Sequence, residues 1–186
     1  FKSSDKSMNN EDDLPIVISS LFQSLSCLHN WDEMIDILSV EKDNEKARIM
    51  AKILLYSAEK LISSSNPNND TGLSQIRRLS LSLVKFLSDL IKGYQRDDDI
   101  VLPLVDSAKL INLDVVSENS YDHYFQKLLA EICNIFLHSS NRLVFTTSIA
   151  SLYELSVRNH QLSLIARREL DRLAVECGKD CDLSKN

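Results

Sequence analysis

Three glycines and three prolines in 186 residues are too few for a β-sandwich, which turns every few residues, so the scarcity points to an all-α chain. Nowhere do eighteen apolar residues run together and no charged-then-apolar leader opens the sequence, so neither a membrane span nor a signal peptide is expected. HExxH, paired CxxC and glycine-rich phosphate loops are all missing; Gly72, Gly93 and Gly178 stand alone as punctuation. Cys27, Cys133, Cys177 and Cys181 form no disulfide framework, and two of them fall on apolar stripes, as reduced thiols do in a reducing compartment. Cys177 and Cys181 share a helical face but fall two ligands short of a structural metal site. His29, His123, His138 and His160 sit at helix ends or flanks with no partner set, and the many serines read as caps and surface residues. No catalytic residue, cofactor, metal or small-molecule substrate is expected.

Charge is present but uneven. Residues 1–43 carry nine acids against three bases, whereas residues 44–186 carry eighteen of each, so the net charge of -6 is a local acidity. A generally basic nucleic-acid surface is excluded, although a basic stripe on one face is not. Between residues 76 and 96, Arg77, Arg78, Lys85, Lys92 and Arg96 face only Asp89, a local balance of +4. Chance i, i+4 pairs such as Lys85 with Asp89 would make this an ordinary solvated face. Arg77-Arg78-Leu79-Ser80 also matches a basophilic kinase site.

What dominates is helical periodicity. In YDHYFQKLLAEICNIFLH, Tyr121, Tyr124, Phe125, Leu128, Leu129, Ile132, Ile135 and Phe136 recur at i, i+3, i+4 and i+7, with Ala130, Cys133 and Leu137 widening the stripe onto a second flank. Such a helix belongs in the middle of a stack. The polar residues 1–13 read as a flexible lead-in, and Pro15 starts a first helix over 14–28. Asn30 caps a second helix with Trp31 in the core, and Asn44 opens a third built on Ala47, Ala51, Leu54, Leu55, Ala58 and Leu61. A polar connector at 63–72, interrupted by Pro67 and Gly72, leads to a fourth helix over 73–92 with Gly93 as a left-handed cap. Asp97 to Asp99 start a fifth that contains Pro103 and fades near Ile111; Leu113, Val115 and Val116 then form an apolar tether. After the central helix, Asn141 caps a segment using Leu143, Val144, Leu152 and Tyr153. A last helix uses Leu162, Leu164, Ile165 and Leu173 and stops at Gly178, leaving 179–186 as a tail. About eight helices over 14–178 make an α-solenoid of degenerate HEAT-type hairpins.

Taken in order, LHNWDEMIDIL, ARIMAKILLYSAEKL, the helix ending LIKGY, the acid-started helix with Pro103, NLDVVSENSYDHYFQKLLAEICNIFLHSS and HQLSLIARRELDRLAVE resemble the middle of stromalins, the HEAT-repeat accessory subunits of cohesin. The resemblance implies an internal piece of a non-catalytic scaffold that binds the kleisin subunit, helps to hold double-stranded DNA by its phosphate backbone, meets cohesin regulators, and works in the nucleus on chromosomes. It places DNA contacts loosely on Lys46, Arg48, Lys52, Arg77, Arg78 and Lys85; Arg142, Arg158, Arg167, Arg168 and Arg172 are further cations that would align as ridges. The rival expectation is a protein-only adaptor of trafficking or transport type, in which these cations are plain surface.

Overall fold

The computed structural model describes residues 13–65 and 70–183, and each regular element among them is helical. The helices are α1 (Leu14–Leu21), α2 (Trp31–Val40), α3 (Asn44–Ser64), α4 (Asp70–Gly93), α5 (Asp98–Ser107), α6 (Leu113–Glu118), α7 (Asp122–His138), α8 (Arg142–Ser156) and α9 (Ser163–Leu183). Short 3-10 turns at Ser26–His29 and Ala108–Leu110 join them.

Packing sorts the helices into two layers. α1, α3, α5 and α8 touch in succession, as do α2, α4, α7 and α9, while the chain crosses from one layer to the other at nearly every turn. The core lies between the layers and runs unbroken from Ile18 to Leu173. Helices that pack on both flanks need wide apolar faces, and α4 shows one: Leu79, Leu83, Val84, Leu87 and Ile91 are fully buried. This is the α-solenoid expected from the periodicity, with the short α6 set against α4 and α7.

Side-chain caps align the repeats. Asn44 opens α3 as expected, and Asp43 caps it, its Oδ1 accepting from the Glu45 and Lys46 amides at 3.0 and 3.4 Å. Asn44 instead donates to Asp97 (3.0 Å), and Asn141, which caps α8 through the Leu143 amide (2.8 Å), donates to Asp98 at 2.8 Å. The amino ends of α3, α5 and α8 therefore meet along one edge. At the opposite edge Arg158, just past α8, donates from its two terminal nitrogens to the carbonyls of Ile111 and Lys109, which end the second 3-10 turn. Burial pulls this guanidinium below its usual pKa, and Glu154 opposes the shift.

Several expectations are corrected. The first helix stops at Leu21 instead of 28; Phe22 and Leu28 are both buried, and the intervening turn is held by His29 Nε2 against the Phe22 carbonyl at 2.8 Å. Gly72 lies within α4, Gly93 is its last residue without a positive φ, and α9 continues through Gly178 to Leu183. A helical glycine costs only about 1 kcal/mol relative to alanine, less than the burial its neighbours gain. Residues 113–118 form α6 rather than a bare tether, Ala130 and Leu137 are exposed, and so are Leu143, Tyr153 and Leu164. Nine of the described serines are buried, against the reading of serine as cap and surface; Ser107 and Ser148 donate to the carbonyls of Pro103 and Val144, and Ser151 to that of Val105 on α5. Residues 1–12 of the 1–13 lead-in, and Pro67, lie outside the described residues.

The α6–α7 junction is a Schellman motif: the Tyr121 amide reaches the Val116 carbonyl and the Ser120 amide that of Ser117, both at 3.0 Å, with Ser120 at φ 58°. Ser120→Gly should raise the urea midpoint, gaining about 0.5 kcal/mol, whereas Ser120→Val should lose about 1–2 kcal/mol because its branched Cβ resists the left-handed region. Equal stabilities would refute the strain. Arg158→Met leaves two carbonyls unanswered and should cost about 2–3 kcal/mol in the same measurement. Lysine, lacking the two-pronged head, should restore less than half of that; full rescue would show that charge alone suffices.

Candidate functional site

The histidines serve local contacts. His29 stacks on Phe22 (centroids 4.2 Å apart), His123 on Tyr124 (3.9 Å), and His138 Nδ1 meets the Asn134 carbonyl at 2.8 Å. His160 Nδ1 accepts from the Leu162 amide (3.0 Å) while Nε2 lies 3.6 Å from Asp114. Among the described residues, no group of three or more His, Cys, Asp or Glu side chains is placed to hold a metal ion. Ser80 of the kinase-like tetrapeptide is fully buried and accepts the Asn112 amide at 3.0 Å, so its hydroxyl is not available at the surface.

Surface cations are the remaining candidates, and the fold divides the predicted six into two groups. Lys46, Arg48 and Lys52 ride the first turns of α3, in one layer, at the edge where Asn44 meets Asp97. Arg77, Arg78 and Lys85 ride α4, in the other layer. Since α4 returns from the far end of α3, Arg77 and Arg78 also lie toward the opposite edge. One continuous ridge through all six does not form.

Each group is interleaved with acids, most of them from neighbouring helices. Lys46 lies 3.8 Å from Asp43, Arg48 3.6 Å from Asp99 of α5, Arg77 2.7 Å from Glu118 of α6, and Arg78 3.8 Å from Asp32 of α2. Ser82 donates to that same Asp32 at 2.5 Å. Lys85 places its ammonium 4.8 Å from the centre of the Phe86 ring, not on Asp89, which pairs instead with Lys127 of α7 at 2.7 Å. Lys52 lines a shallow cleft with Tyr56, Asp99, Leu102, Asp106 and Thr147. Except for Asp43, three residues from Lys46, these acids lie tens of residues from their partners, out of reach of any i, i+4 pattern. Exposed pairs of this kind contribute about 0–1 kcal/mol and exchange readily for phosphate.

The later arginines are mostly structural. Arg158 holds the Lys109 and Ile111 carbonyls, Arg167 donates to the Ser156 carbonyl (3.3 Å), and Arg172 bridges Glu169 and Glu176 at 2.8 and 3.5 Å. Arg142 and Arg168 remain as exposed cations.

Arg172 and Glu169 adjoin the buried Cys133, whose sulfur sits 3.7 Å from Glu169. Burial first, and then the Glu169 charge, push this thiol up to about 11. At pH 8 its thiolate fraction is then roughly one in a thousand, against about a quarter for an ordinary thiol. Alkylation mapped by mass spectrometry should therefore label exposed Cys27 at least about 100-fold faster than Cys133, with the difference vanishing in 8 M urea. Comparable native rates would refute the burial.

Against known proteins, the family model described as the HEAT-repeats domain of cohesin subunit SCC3/SA matches residues 17–181. No curated protein matches the chain.

Proposed function

The chain belongs to the SCC3/SA family of cohesin subunits, and from that premise we propose that it is a scaffold that seats the kleisin subunit along its two-layer array and contacts DNA phosphates. The observation that carries the proposal is the family match, which spans α2 to α8 entire and most of α1 and α9. Extended repeat arrays offer long surfaces rather than pockets for chemistry, so a binding role in the nucleus, on chromosomes, fits this architecture.

For DNA, the α4 group is the better candidate. Arg77, Arg78 and Lys85 head the most basic stretch of the chain, and their partners Glu118 and Asp32 are exposed, so a phosphate displaces them at little cost. Arg48 is more enclosed against Asp99. A second reading, the protein-only adaptor, draws on the same pairs: cations already answered by carboxylates leave a surface of low net charge.

Fluorescence anisotropy of the full chain with a 30-base-pair duplex, across a salt series, separates the two. Three phosphate contacts predict a log–log salt slope of about -2.7, and reversing Arg77, Arg78 and Lys85 together to Glu should abolish binding. Reversal of Lys46, Arg48 and Lys52 should weaken it less. Absence of wild-type binding even at low salt would remove DNA from the proposal and favour the adaptor.

A further inference from the structure

Beside the carboxyl ends of α2 and α4 lies a groove of about 430 Å³ that neither scaffold reading uses. Ile35, Phe86, Leu90 and Tyr94 give it an apolar lining; Asp36, Glu41 and Asp89 are its charged residues, and among the described residues no cation lines it. Lys127 answers Asp89 at 2.7 Å, and Lys85 lies over the Phe86 ring. Among the described residues, Asp36 and Glu41 form no ion pair with a side-chain cation. Glu41 is held in place by the Lys42 and Asp43 amides, each 2.9 Å from its Oε1. The wall behind is firm as well, because the Tyr94 hydroxyl donates to the Leu38 carbonyl at 2.6 Å and stands 3.1 Å from that of Glu41. Burial, followed by the Glu41 charge, raises the Tyr94 pKa, so this anchoring proton stays on.

Gly93 completes the lining, and neither backbone nor packing requires a glycine there. Its φ is not positive, and a Cβ added to it would meet nothing within 4 Å. A glycine at such a helical position forfeits stability that alanine would supply. What the missing side chain does provide is room in the groove.

We propose that this groove is a docking site for a short segment of a partner protein, in which one large apolar side chain enters between lysines or arginines. The volume holds one or two side chains rather than a helix, the lining suits an apolar anchor, and Asp36 and Glu41 select for positive flanks. The anchor supplies the burial. The flanks supply orientation and exclude acidic competitors.

The probe is a fluorescein-labelled peptide with a central Phe between two pairs of Lys, titrated against the full chain at physiological salt. Two control peptides replace the Phe by Ala or the four Lys by Glu. Binding with a Kd on the order of 10–100 µM is expected, at least about 10-fold weaker for either control. Gly93→Leu, whose Cβ meets no neighbour within 4 Å and whose branched end occupies the groove, should weaken the probe at least about 10-fold while leaving the thermal midpoint unchanged or higher. Asp36→Lys with Glu41→Lys should do the same through charge. No binding at millimolar protein, equal binding of either control peptide, or indifference to Gly93→Leu would each overturn the proposal. Loss through the lysine variants alone, with the Ala control binding equally, would mark diffuse charge attraction and overturn it too. The DNA experiment is independent of all these outcomes.

Discussion

Lateral burial between successive hairpins is the interaction on which the rest of this molecule depends. A hairpin of two helices cannot hide its apolar faces alone; α4 does so only by lying between α2 and α7, and α3 by lying between α1 and α5. Five fully buried aliphatic side chains on α4 contribute about 2 kcal/mol each, whereas each surface ion pair contributes at most about 1 kcal/mol. Apolar contact therefore sets the architecture, and charge decorates it.

Small polar side chains refine that packing. Buried serines on α4, α5 and α8 occupy positions where a larger residue would push the layers apart, and several satisfy their hydroxyls on a carbonyl four residues back. Where that bond forms, the helices approach closely without leaving the hydroxyl unpaired, whereas Ser57, Ser88 and Ser163 are buried with no partner among the described residues. Ser151 reaches across to the Val105 carbonyl, joining neighbouring repeats through the interior, as Asn44 and Asn141 do along the edge.

The helical faces were readable in the sequence because a 3.6-residue period is a local signal: Phe125, Leu128, Leu129 and Ile132 declare the buried side of α7 by spacing alone. Glycine as punctuation misled at Gly72 and Gly178, which are carried along by the helices around them; Gly93 does end α4, though without a left-handed turn. The candidate site was less legible still. Residue type located the cations, but whether Arg77 and Lys52 share a surface depends on which layer each helix joins, and that follows from contacts among helices far apart in the chain. Partners such as Glu118 for Arg77 and Lys127 for Asp89 exist only after stacking.

The Asn–Asp bonds along the amino edge have a mechanical meaning. Each joins one hairpin only to the next, so tension applied along the array passes through these junctions in series, and none can shield another. A molecule so built yields a little at every seam rather than breaking at one. Its compliance adds up along its length, and a distant load reaches any given helix only as a slight shift of its immediate neighbours.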